Sequence, residues 1–184
     1  MRKKLAYSLA SLLPLIAAAC TQEPAITEPE SPFRPVASIQ EIMKAIVAPS
    51  ADYLWSAVGV TSTETGVEER QPRTDDEWLM VRYHALELIE ATNLLAMDGR
   101  RVTAPDAELQ DAGLAGNLTA EEIQLAIDAN GSEFVAYAHA LHDAAMEALA
   151  AVEARDPAAL SDSGGTIDTA CEQCHTTFWY PNPS

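Results

Sequence analysis

An all-α chain folding as an antiparallel four-helix bundle is predicted by three observations. Apolar residues recur at steps of three and four in separate stretches, capping patterns and Gly or Pro stops bound those stretches, and no segment of two-residue hydrophobic period competes with them. Amphipathic helices with core-width stripes bury those stripes most simply against one another. The ~145 residues that carry the pattern suffice for one core, not two.

The first helix is expected over 38–59, with Ile39, Ile42, Ile46 and Tyr53 on one stripe and Met43, Val47, Leu54 and Val58 on its neighbour. Pro49 lies inside it and predicts a kink or break near Ala48, because proline lacks the N–H and its ring meets the preceding turn. The second opens after Thr74, a good N-cap, with Asp75, Asp76 and Glu77 at the positive helix end. Its stripe is Trp78, Val81, Ala85, Leu88, Thr92 and Leu95, and it should stop near Asp98 and Gly99. Residues 99–118 read as a loop with about one turn of structure. Thr119 to Glu122 form a capping-box pattern that opens a helix toward Asn130 and Gly131. Ser132 can cap a further start, with Phe134, Ala138, Leu141, Ala145, Leu149 and Val152 as its stripe; one long helix or two separate ones both fit Asn130-Gly131. The last helix is expected from Gly165 to about Tyr180, ended by Pro181. Trp55 and Trp78 read as core, and Phe178, Trp179 and Tyr180 as packing at the bundle end.

The N-terminal stretch has the composition of a targeting segment. Arg2, Lys3 and Lys4 precede an apolar run, 5–19, that is too short and too interrupted by Ser8, Ser11 and Pro14 for a good transmembrane helix. Ala17-Ala18-Ala19-Cys20 resembles a bacterial lipobox, which implies a lipoprotein signal peptide over 1–19 and lipid on Cys20. Two or more acyl chains hold a protein stably on a membrane. Thr21, where an aspartate would favour inner-membrane retention, leans the expectation toward the outer membrane. Residues 20–36, with Pro24, Pro29, Pro32 and Pro35, then form an extended tether to a folded domain over 37–184.

The chain holds 11 basic and 28 acidic residues, a net charge of −17; loss of the leader leaves 8 basic residues and about −20. That sign excludes nucleic acid as a partner. It suits a solvated surface or steering toward a basic redox protein. With Cys20 lipidated, the remaining cysteines are one close pair, which is no disulfide framework.

Cys171-Glu172-Gln173-Cys174-His175 carries the chemistry. On a helix, sulfurs at i and i+3 share a face, so both can join the two vinyl groups of one porphyrin, and His175 presents its imidazole to the iron as proximal ligand. A zinc site would need two further ligands, and no second Cys pair exists. A thioredoxin-type pair would open a helix after a strand, whereas this one lies near a helix C-terminus. One covalent haem c is therefore expected, bound through Cys171 and Cys174. For the sixth position the candidate is Met43. It lies five residues after Ser38, as His175 lies five before Tyr180, which places both ~7–8 Å from one end of an up-down bundle. Met43 packing against the porphyrin is the plainer role. His84, His139 and His142 are alternative distal ligands, though more simply surface or boundary residues. Arg100 and Arg101 stand out in an acidic chain as partners for propionates, with solvent as their default.

A helical bundle with this motif close to its C-terminus is similar to the class II c-type cytochromes, the cytochrome c-prime and c-556 type; class I members carry the motif near the N-terminus. The resemblance covers about residues 37–180, and its specific element is Cys171, Cys174 and His175. It implies haem within the bundle and electron transfer or small-gas binding. The long 99–118 segment, the extra turns over 119–130 and Pro49 depart from the pattern and bear on the geometry opposite His175. The expectation is a one-electron carrier tethered by lipid on the periplasmic side of a bacterial membrane, with a redox protein as partner and homodimerisation compatible. The alternatives are a five-coordinate haem protein binding NO, CO or O2, and a structural lipoprotein whose motif is accidental or holds metal. No nucleophile–base pair or paired carboxylates single out an enzyme. Replacing Cys20 by Ser should leave precursor uncleaved by lipoprotein signal peptidase or release a soluble product; full partition into detergent at unchanged mature mass would refute the anchor.

Overall fold

The computed structural model describes residues 32–181. The expected leader, Cys20 and the tether up to residue 31 lie outside the described residues. The described end of the tether, 32–36, is exposed and neither helix nor strand. The chain that follows is mostly helical, with one small two-stranded sheet.

The first helical rod comprises α1 (Ile39–Ile42), a π-helical turn (Met43–Val47) and α2 (Ala48–Ala57). Ser38 caps it: Glu41 N–H donates to Ser38 Oγ at 3.2 Å, and Ser38 N–H donates to Glu41 Oε2 at 2.8 Å. The disturbance expected near Ala48 takes the form of the π-helical turn, and the rod continues past Pro49. The Ala48 N–H reaches back to Met43 O, and this wider turn admits the proline ring without ending the helix.

The sequence reading found no strand, but β1 (Gly59–Thr63) and β2 (Gly66–Arg70) form an antiparallel hairpin. Thr63 pairs with Gly66 across a two-residue loop, and Gly66 takes φ +142°, which a side chain would resist. The hairpin escaped notice because nearly every residue on both its faces is exposed, so no apolar alternation marks it.

α3 (Asp75–Leu95) starts at Thr74 as expected and buries the expected stripe from Trp78 to Leu95. It ends short of Asp98, where Arg100 takes over the helix terminus. The buried Arg100 donates from Nε to Leu94 O at 2.7 Å and from Nη1 to Ala37 O, so its charge meets the negative end of α3 and not solvent. The irregular segment that follows is stitched to its surroundings. Ile39 N–H donates to Arg101 O at 2.8 Å, and Val102 N–H to Gln124 Oε1 at 2.9 Å.

α4 (Ala120–Ala129) and α5 (Gly131–Ala154) are separate helices, divided where Asn130 leaves helical geometry at φ −129°, ψ 40°. α5 buries the predicted stripe from Phe134 to Val152. α6 (Pro157–Phe178) begins eight residues before the expected Gly165. Asp156 accepts N–H bonds from Ala158 and Ala159, and Pro157 sits at the first turn, so a strong start overrides the Ser and Gly residues that read as breakers.

α3 packs against α2 and α5, α5 against α6, and α6 against α2. Leu88, Ile123, Ala145 and Ile167 are fully enclosed at the centre. Ala144, Ala145, Ala148 and Ala151 on α5 are buried as well, and their small side chains allow neighbouring backbones to approach closely. No helix among the described residues is long and apolar enough to cross a membrane.

Three helix starts share one electrostatic device. Backbone donors at Ser38, at Arg73 and Thr74, and at Thr119 hold the carboxyls of Glu41, Glu77 and Glu122 below their ordinary value of 4.5. Because the folded values lie below the unfolded ones, this stability is present above pH 4.5 and is lost as pH falls through the folded values. A Glu41→Gln, Glu77→Gln, Glu122→Gln variant keeps the capping geometry without the titration. Its thermal midpoint should fall less than that of the parent on acidification from about pH 6 to about pH 3; parallel curves would contradict the assignment.

Candidate functional site

The core stripe of α6 is Leu160, Ser163, Gly164, Ile167, Ala170 and Phe178. Cys171, Cys174 and His175 lie along its border, half-buried, and all three line one cavity of about 410 Å³. That size suits a ligand, not a single water. The walls come from the first rod, α3, α5 and α6, and from the irregular segment before α4. The first rod contributes Met43, Lys44, Val47, Ala51 and Trp55; α3 contributes Leu95; α5 contributes Phe134, Tyr137, Ala138 and Leu141. Leu109, Gln110, Asp111, Asn117 and Leu118 line it from the irregular segment, and Trp179 and Tyr180 from the chain just past α6.

Local bonds fix these walls. Gln40 clasps the irregular segment twice, donating to Glu108 O at 3.1 Å and accepting from Gln110 N–H at 2.8 Å. Leu118 N–H donates to Trp179 O at 2.8 Å, which ties the other end of that segment to the end of α6. Phe178 is buried edge-on against Phe134 and Tyr137, with ring centroids 5.5 and 6.1 Å away. Thr177 donates to the Tyr137 hydroxyl at 3.0 Å. The Tyr180 hydroxyl donates to Glu172 at 2.8 Å; burial, and then that carboxylate, push its pKa up to about 12.

The environment keeps the motif uncharged. Burial pushes the Cys171 thiol up to about 11, with Asp168 and Glu172 adding to the shift, and the Cys174 thiol up to about 12, with Cys171 adding. Burial also pulls His175 below its ordinary value, against the opposing pull of Glu172. The imidazole is thus neutral at pH 7, with a lone pair free to ligate a metal. Its ring lies 5.7 Å from Trp179 and 6.0 Å from Tyr180. Among the described residues no group of three or more His, Cys, Asp or Glu side chains could hold a metal ion unaided.

Met43 therefore shares its cavity with His175, Cys171 and Cys174, while the three candidate distal histidines are not among the residues that line it. His84 stacks on Tyr53 with centroids 4.0 Å apart, and its Nδ1 lies 3.0 Å from Glu87. His139 is exposed, and His142 lies 3.4 Å from Asp143. Trp55, expected in the core, is 38% exposed. Sequence reasoning passed over Lys44, the only Lys or Arg in the lining, although it is the sole lysine after Lys4. It also passed over Gln40, Tyr137 and the 109–118 residues. Nothing in their local pattern signals a site, because their role arises from chain segments distant in sequence.

In comparisons with protein families, curated proteins and solved structures, the chain matches none.

Proposed function

We propose that this chain is a c-type cytochrome of the class II kind: a four-helix bundle carrying one covalent haem c and acting as a one-electron carrier. In this reading it faces the periplasm, tethered to the membrane through Cys20. The observation that carries the proposal is the shared cavity, lined by Cys171, Cys174 and His175 from α6 and by Met43 from the first rod. The bundle is read from the rod 39–57, α3, α5 and α6, each of which packs on two of the others.

The residues present suit the group. Two sulfurs spaced i, i+3 border one ligand-sized, mostly apolar cavity, as two thioether links to a single porphyrin require. That the motif could not hold a metal ion unaided fits this division of labour, in which the sulfurs bond carbon and only His175 meets iron. Cys171 and Cys174 would tie the haem to α6, and neutral His175 would be its proximal ligand, oriented by Trp179 and Tyr180. Lys44 offers a propionate the counter-charge that Arg100, spent on the α3 terminus, does not. Phe134, Leu141 and Val47 keep the walls dry, which favours a neutral ligand sphere. When bound, haem supplies a one-electron couple, and a thioether from Met43 would raise its potential.

The test is spectroscopic. Purified protein should absorb as a haem protein, and the spectrum of the reduced wild type should not respond to carbon monoxide. Met43→Ala should bind it readily. Ready binding by the wild type would overturn Met43 ligation and favour the five-coordinate gas-binding alternative.

A further inference from the structure

Among the described aromatics, Trp55 is set apart by its placement. Trp78 is buried in the core at 7% exposure, whereas Trp55 keeps 38% of its surface open. Trp55 lines the cavity that holds Cys171 and His175. It also lines a second hollow of about 350 Å³ on the outer side of α2 and α6, bounded by Val58, Leu160, Gly164, Gly165 and Asp168. It is the only residue common to the two. One indole thus forms a shared wall between the interior cavity and an open surface groove.

The placement is fixed, not fortuitous. The Trp55 indole N–H donates to Gly164 O at 3.0 Å. A Cβ on Gly164 would lie 2.9 Å from Trp55 Cδ1, closer than real side chains come. Glycine within a helix costs ~1 kcal/mol relative to alanine, and at Gly164 the missing side chain is what lets the indole lie directly on α6. The surroundings are acidic. Asp168 is the charged residue of the groove, exposed Glu172 follows one turn on, and Asp52 stands one turn before Trp55; no Lys or Arg lines the groove. A half-open indole seated over buried Leu54, Val58 and Leu160, with an acidic rim and no basic residue, has the make-up of a recognition patch for a cationic surface.

We propose that Trp55 is the electron port of this chain, and that the groove between α2 and α6 seats a one-electron redox protein with a basic contact face. The proposal rests on the haem reading above. One electron passes from the reduced cofactor to the partner's oxidised centre; no bond forms or breaks, and no proton moves. Trp55 is not itself oxidised. Its packed π-system fills what would otherwise be a gap, and electronic coupling falls off less steeply through packed atoms than through empty space. The net charge of −17 and the acidic rim draw the partner in and orient it. Of the other aromatics at the cavity, Tyr180 is engaged by Glu172 and Tyr137 by Thr177, and none of them lines the groove.

The experiment uses the full haem-loaded protein, reduced and mixed in a stopped-flow instrument with a basic mitochondrial-type cytochrome c as acceptor. Trp55→Leu should slow transfer roughly tenfold at sub-saturating acceptor, because loss of a tryptophan anchor weakens a complex by about that factor or more, with unchanged midpoint potential and absorption spectrum. Trp55→Phe should recover most of the rate. Asp168→Lys, which leaves the indole packing alone, should slow transfer at low ionic strength, and the difference should shrink at about 0.5 M salt, where surface charges are screened. Should Trp55→Leu fail to accumulate, Trp55→Phe and Asp168→Lys decide the matter. Wild-type rates in Trp55→Leu, or in Asp168→Lys at low salt, would overturn the proposal, as would equal slowing by Leu and Phe. Protein purified without haem would defeat the haem reading; protein with haem whose transfer ignores Trp55 defeats this inference alone.

Discussion

The close approach of α2 to α6 at Gly164 governs the geometry of everything that matters here. Trp55 lies on the bare Cα of Gly164 and donates to its carbonyl, which sets the spacing of the two helices. Two turns further along α6 stand Cys171 and Cys174, and one to three turns back along the rod stand Ala51, Val47 and Met43. The opposed walls of the cavity are therefore the continuations of one contact. A side chain at residue 164 would push the walls apart, while loss of the indole would let them collapse. Between those limits the chain keeps open a space of about 410 Å³ beside a well-packed core.

Two irregular features finish the site. The π-helical turn at Met43–Val47 answers Pro49, and three of its residues, Met43, Lys44 and Val47, line the cavity. Such turns persist where a local widening is useful, since each forfeits regular helix bonding. The irregular segment before α4 closes another side of the cavity, held at one end by Gln40 and at the other by Trp179. Its cohesion comes from these few backbone and amide bonds, with little buried apolar surface of its own. That makes it the part of the wall with the lowest cost of local opening.

Much of this was legible in the sequence. The stripes of α3 and α5, the Thr74 cap and the capping box at Thr119 were read correctly, because strict three-four spacing and S/T-x-x-E patterns report directly on buried faces and satisfied N–H groups; the boxes at Ser38 and Thr74 emerged only in the structure. The motif at Cys171, Cys174 and His175 was equally plain, and Met43, singled out by a count of turns, lines the same cavity. What failed did so for tertiary reasons. The start of α6 was missed because Gly164 reads as a breaker until Trp55 is seen lying on it. Arg100 looked like a surface cation until its bonds to Leu94 and Ala37 were seen to close a helix end. The hairpin was missed because its exposed faces leave no alternating pattern. Lys44 was missed because one lysine on a helix means nothing until the opposite wall is known.

The haem itself is the centre of the account, and covalent attachment tests it most directly. Protein exported by a cytochrome c-maturing bacterium should be denatured and its intact mass measured. The account predicts that the mass of one haem stays with the polypeptide after denaturation, and that a Cys171→Ala, Cys174→Ala variant loses it. Haem extracted from the wild type by acidified solvent, or a polypeptide carrying no haem mass at all, would contradict it.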